Sequence, residues 1–89
     1  MTAEAAKPPC VWITGASSGI GAALACELAA RGYVVAATAR NEGALEKLAD
    51  SMANIHIFAG DITDRAGMAT IVEGIESDLG PIDIAVLNA

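Results

Sequence analysis

The stretch Thr14-Gly15-Ala16-Ser17-Ser18-Gly19-Ile20-Gly21 decides the reading of this chain. Before it runs Val11-Trp12-Ile13-Thr14, a short apolar segment rich in β-branched residues, which reads as a buried strand. After it the pattern is helical from Gly19 to Arg31, with Ile20, Leu24 and Leu28 at i, i+4 and i+8 as the expected core-facing stripe. Ala22, Ala23, Ala25, Ala29 and Ala30 favour a helix and carry little bulk, so this helix is expected to lie close to a sheet. Gly32 then stops it. Three glycines thus sit where a strand turns sharply into a helix. Gly15 suits the tight turn, Gly19 lets a bulky anion approach the backbone, and Gly21 lets the helix pack against the strand. The free N–H groups at such a helix start point at a phosphate, helped by the helix dipole. Ser17 and Ser18 add hydroxyl donors.

The spacing is G-x-x-x-G-x-G. It is neither the commoner G-x-G-x-x-G nor a G-x-x-x-x-G-K loop, and without that lysine nucleotide hydrolysis is disfavoured. A tight turn that binds nothing uses the same glycines. What favours a ligand is the position, after the first strand and at the start of a helix in a βαβ unit.

Outward from the turn, Tyr33 to Thr38 reads as a second strand buried on both faces. Glu42 to Met52 reads as an amphipathic helix with Ala44, Leu45 and Leu48 inward. Ile55 to Phe58 reads as a third strand. Thr63-Asp64 is expected to supply an N-cap and an acidic first turn to a helix carrying Met68, Ile71, Val72, Ile75 and Leu79. That helix stops at Gly80-Pro81, and Ile82 to Leu87 is a fourth apolar run. The order is β-α-β-α-β-α-β. Parallel strands with right-handed crossovers are the economical arrangement, and four apolar strands predict a sheet covered on both faces.

At 89 residues, with 54% hydrophobic and 18% charged, the chain suits one small domain and excludes a disordered segment. Cys10 and Cys26 have no CxxC spacing and only His56 to join them, which excludes a disulfide scaffold and a zinc site. Both are expected to be reduced core thiols in a reducing compartment, which points to the cytoplasm. The net charge of −6 and five scattered basic residues leave no basic face for nucleic acid or acidic lipid. One each of Trp, Tyr and Phe leaves no base-stacking platform. Residues 1–9 are expected to be a flexible leader. They have no apolar h-region, and Cys10 to Ile13 is too short to span a bilayer.

The turn resembles the T-G-x-x-x-G-I-G motif of the short-chain dehydrogenases/reductases. Gly60-Asp61-Ile62-Thr63-Asp64 is similar to that family's D-V-T-D segment after the third strand. Leu87-Asn88-Ala89 is similar to its N-A-G segment after the fourth. The resemblance covers nearly all of residues 10–89 and implies a Rossmann-like α/β fold, the first half of a doubly wound parallel sheet with strand order 3-2-1-4. It implies that the turn, Gly15 and Ser17 to Gly21 with Ser18, Gly19 and Ile20 between, holds the pyrophosphate and adenosine ribose of a nicotinamide dinucleotide. Asp61 would hydrogen-bond the adenine amino group and Ile62 would pack along the ring. Asn88 would steady the sheet centre and touch the ribose. The bland readings are an Asx turn at Asp61 and a helix start at Asp64. His56 is read as a plain strand residue, Trp12 as core and Tyr33 as an edge position.

NAD-preferring sites place an acidic residue about 20 residues after the glycine turn. Ala39 stands at that position and Arg40 follows, suited to an adenosine 2′-phosphate, so NADP(H) is expected over NAD(H). The competing reading of Arg40 is a solvated charge. The family's chemistry needs a serine and Y-x-x-x-K, but four residues after Tyr33, the only tyrosine, stands Ala37. No catalytic residue is therefore assigned, and no metal. The expectation is the amino-terminal part of a longer oxidoreductase acting on a carbonyl or alcohol, cut after the fourth strand and forming a homo-oligomer when intact. The alternatives are a non-catalytic nucleotide-sensing or regulatory module and an inactive fragment.

Overall fold

The computed structural model describes residues 8–17 and 19–88. The expected leader falls largely outside them, as do Ser18 and Ala89. The elements run β1 (Cys10–Thr14), α1 (Gly19–Ala30), β2 (Val34–Thr38), α2 (Glu42–Ser51), β3 (Ile55–Ile57), α3 (Arg65–Leu79) and β4 (Ile84–Val86). They form one parallel sheet of order β3-β2-β1-β4. β1 pairs with β2 from Cys10↔Val34 to Thr14↔Thr38, and with β4 from Val11↔Ile84 to Ile13↔Val86.

Alternation along β1 and β2 splits the core into two faces. Val11, Ile13, Val35 and Ala37 face one side and pack with Ala25 and Ala29 of α1, Leu45 and Leu48 of α2, and Ile55. Cys10, Trp12 and Ala36 face the other side and pack with Ile71 and Ile75 of α3. The result is three layers, helices over both faces of a parallel sheet, as in a Rossmann-like doubly wound fold.

α1 meets the sheet through a different stripe from the one the large side chains suggest. Gly21, Ala25 and Ala29 are its buried residues, while Leu24 and Leu28 are half-buried and Ile20 is 78% exposed. Small side chains let the helix axis come close to the strands, and the larger ones fill the flanks. Asn54 ties the far end of this unit: its Nδ2 donates to the carbonyls of Ala29 at 2.8 Å and Tyr33 at 2.7 Å.

The expectation of four fully covered strands holds only for the centre of the sheet. β1 is buried throughout, whereas β4 is short and largely exposed, with Ile84 46% accessible and Leu87, just beyond its end, 73%. Among the described residues β4 is an edge, with β1 on one side only. His56 on β3 is also exposed. Two smaller expectations fail for local reasons. Cys10 is buried, and burial with the nearby Asp83 carboxylate pushes its thiol pKa up, but Cys26 is only half-buried, packed against the margin of the core near Ser51. Asp64 occupies the N-cap position of α3, yet its side chain makes no capping bond, and the first turn carries no acid. The Thr63 hydroxyl is already turned back to Asp61.

Candidate dinucleotide cleft

All four strands end at one cleft of about 500 Å³. The loop after β1 brings Gly15 and Ser17, and the loop after β2 brings Ala39, Arg40 and Asn41. Gly60 to Thr63 follow β3, and Asn88 follows β4. In a sheet of order 3-2-1-4 the winding reverses between β1 and β4, and ligands of open α/β sheets bind at the carboxyl ends of strands at such a reversal.

The glycine turn is locked from both sides. The Ala16 amide donates to the Thr38 carbonyl at 3.1 Å. The Asn88 amide donates to Thr14 Oγ1 at 3.0 Å, and Asn88 Nδ2 donates to the Gly15 carbonyl at 3.2 Å. Gly15 adopts φ +63°, a left-handed conformation natural to glycine, and a Cβ there would run into the Asn88 carbonyl. A Cβ on Gly21 would strike the Gly15 carbonyl and lie 2.8 Å from Asn88 Nδ2. Turn, helix start and β4 end are thus packed backbone to backbone. Around Gly19 the space is open: a Cβ there meets nothing within 4 Å among the described residues.

The second wall is built from the ends of β2 and β3. Ala39 is 8% exposed, and its carbonyl accepts from the Gly60 amide at 3.0 Å. Arg40 is exposed beside it. Asn41 Oδ1 accepts from the Ala44 amide at 3.0 Å and caps α2. Asp61 closes an Asx turn, its Oδ1 accepting from the Thr63 amide at 2.9 Å and the Thr63 hydroxyl at 2.7 Å. These bonds, aided by the positive charge of Arg40, hold the Asp61 carboxyl below the usual carboxylate range. Ile62 is 40% exposed at the rim.

Of the residues singled out from sequence, Gly15, Ser17, Arg40, Asp61, Ile62 and Asn88 line the cleft. Gly19 and Ile20 stand exposed at the start of α1, Gly21 is buried beneath the turn, and Ser18 lies outside the described residues. Sequence reasoning missed three residues. Asn41 had a signal, an Asn one residue before a helix that starts with Glu42. Gly60 reads in sequence only as the break after the third strand, and the structure adds that a Cβ there would meet Ile71 Cδ1 at 2.5 Å. Thr63 was assigned to the following helix, although a Thr two residues after an Asp equally fits an Asx turn.

A second hollow of about 570 Å³, lined by Pro8, Pro9, Arg31, Gly32 and Tyr33, lies near the amino ends of β1 and β2. No carboxylate is among its lining residues. Among the described residues no cluster of three or more His, Cys, Asp or Glu is placed to hold a metal ion, and no helix is long and apolar enough to cross a membrane.

Residues 9–89 match the short chain dehydrogenase family, and the chain belongs to it. It is 38% identical over 90 residues to the 2,3-dihydro-2,3-dihydroxybenzoate dehydrogenase of Bacillus subtilis, covering 97% of this chain and 34% of that protein. It is 41% identical over 78 residues to the 3-oxoacyl-[acyl-carrier-protein] reductase FabG of Escherichia coli, covering 86% of this chain and 32% of that protein. Among solved structures, F189W actinorhodin polyketide ketoreductase with NADPH superposes with a TM-score of 0.88 at 27% identity, covering 92% of this chain and 33% of that one. The chain spans about a third of the length of these relatives.

Proposed function

We propose that this chain is the NADP(H)-binding part of an oxidoreductase that moves hydride between the nicotinamide and a carbonyl or alcohol. The observation that carries the cofactor preference is the end of β2, where a buried Ala39 stands in place of an acid and an exposed Arg40 lines the cleft. A guanidinium there suits a 2′-phosphate, and the residue before it in the chain, Ala39, carries no carboxylate to repel one. The rest of the cleft fits the same group. Open space at Gly19, beside the first turn of α1, leaves room for a pyrophosphate against the helix start. The volume is that of a small-molecule or cofactor site. NADPH-bound ketoreductase among the structural neighbours supports the reading at the level of the family.

In this reading Gly15, Ser17 to Gly21 and Asn88 hold the pyrophosphate and ribose, Arg40 the 2′-phosphate, and Asp61 and Ile62 the adenine. The bound dinucleotide would supply the hydride, and the chain's own residues would bind and orient it. The proton-transfer set of the family has no counterpart here, because Tyr33 lacks a lysine four residues on. We extend the proposal to a cytoplasmic homo-oligomer as the working form of the enzyme, with residues 10–89 as its cofactor-binding part. Fluorescence titration with Trp12 as reporter tests the binding step. The expected result is saturable quenching by NADPH at lower concentration than by NADH, with no turnover of ketones or aldehydes by the chain alone. No binding of either cofactor would overturn the proposal. Turnover above a heat-treated control would overturn its catalytic part.

A further inference from the structure

We infer that Thr63 is a positioning residue for adenine recognition, and that it decides which oxygen of Asp61 is offered to the ligand. The inference rests on the cofactor reading above and adds a residue to it. A free aspartate at a cleft edge rotates about its side-chain bonds and presents either oxygen. Here both donors of Thr63 converge on one atom, Oδ1, the amide at 2.9 Å and the hydroxyl at 2.7 Å. Oδ2 makes no hydrogen bond among the described residues, and Asp61 lines the cleft. The turn therefore divides the carboxylate into a structural oxygen and a free acceptor.

The division has a chemical consequence. An exocyclic amino group needs an acceptor held in place, whereas a ring carbonyl at the same position would face a negative oxygen and be rejected. Hydrogen bonds to a charged group are roughly twice as strong as those between neutral groups. Losing the fixed orientation forfeits part of that, because the carboxylate must then be ordered at the moment of binding. Thr63 is exposed and far from the sheet core, so its hydroxyl is removable without opening a cavity.

The test compares NADPH with its hypoxanthine analogue, which carries a carbonyl in place of the adenine amino group. Titrations use the unaltered chain, Thr63→Val, Thr63→Ser and Asp61→Ala. The unaltered chain should prefer NADPH over the analogue. Thr63→Val should lower NADPH affinity roughly three- to ten-fold, within the range of one lost hydrogen bond, and leave the analogue nearly unchanged. Thr63→Ser should restore the preference, and Asp61→Ala should abolish it. An NMR titration of the Asp61 carboxyl without cofactor gives a second readout: its pKa should rise in Thr63→Val and stay low in Thr63→Ser. Equal weakening of both ligands by Thr63→Val, or no weakening of either, would overturn the positioning role. So would an Asp61 pKa that ignores the hydroxyl. Failure of NADPH to bind the unaltered chain would instead sink the cofactor reading. A chain that binds NADPH but keeps its preference in Asp61→Ala would remove Asp61 from adenine recognition, and Thr63 with it.

Discussion

β1 and β4 lie side by side in the sheet, and both are apolar runs in sequence, yet they live in different surroundings. Every residue of β1 is buried, between β2 and β4 and beneath helices on both faces. Among the described residues β4 has a neighbour on one side only, and two of its three residues are exposed. An apolar run therefore states what a segment is able to bury, while its rank in the sheet decides how much it does bury. Besides their backbone ladder, side chains tie the two strands near both ends, the Cys10 amide donating to Asp83 Oδ2 at 2.7 Å at one of them. Thr14 and Asn88 exchange hydrogen bonds where both strands reach the cleft, Thr14 Oγ1 lying 3.2 Å from the Asn88 carbonyl.

Matched truncations break or confirm this contrast most directly. Ile13→Ala should cost about 2–5 kcal/mol, because its side chain is fully enclosed and leaves a cavity. Ile84→Ala should cost about 1 kcal/mol, since 46% of the residue is already in water. Urea melts of the two variants measure the difference, and equal costs would mean that β4 is as well covered as β1. Gly21→Ala probes the junction between turn and helix. Its Cβ collides with backbone, which cannot swing aside as a side chain does, so about 1–3 kcal/mol should be lost along with cofactor affinity.

Asn88→Ala sharpens the comparison further. It removes the Nδ2 bond to Gly15 and keeps the backbone bond to Thr14. A loss of about 1 kcal/mol is expected, the scale of one hydrogen bond. Hydrogen exchange should locate the effect, faster at β4 amides and in the glycine turn and unchanged in the middle of β2. Uniform acceleration would mean that the bond supports the whole sheet.

The smallest effect concerns acid. Asp61 titrates lower in the folded chain than in the unfolded one, first because of its bonds from Thr63 and then because of Arg40. Its contribution is complete at neutral pH. It fades as the pH falls below the ordinary carboxylate value and is gone beneath the folded one. Stability of the unaltered chain should therefore drop slightly more on acidification than that of Asp61→Ala. Parallel acid limbs in the two would show that the Asx turn contributes nothing to folding.

Much of this was legible in the sequence, for identifiable reasons. The alternation of strands and helices follows from β-branched runs separated by helical periodicity and glycine stops. The order 3-2-1-4 followed from family resemblance. The inward stripe of α1 was not legible from hydrophobicity, because close packing selects Gly21, Ala25 and Ala29 over the larger Leu24 and Leu28. At the cleft, the residue types of Gly15, Arg40, Asp61 and Asn88 carried the signal. The Asn88 bond to Gly15 spans 73 positions and the Thr63 bonds compete with a helix cap, so neither could be read from spacing alone.

The account stands or falls on the end of β2. Titration of NADPH and NADH into the unaltered chain, Arg40→Ala and Ala39→Asp measures it. NADPH should bind more tightly, and Arg40→Ala should remove most of that preference, about 1.5–3 kcal/mol, with NADH affinity nearly unchanged. Ala39→Asp should shift the preference toward NADH, since the carboxylate repels the phosphate and accepts from the ribose hydroxyls. Added salt should shrink the Arg40 effect, because this charge is exposed. If Arg40→Ala weakens both cofactors equally, the arginine does not read the 2′-phosphate and the NADP(H) assignment is contradicted.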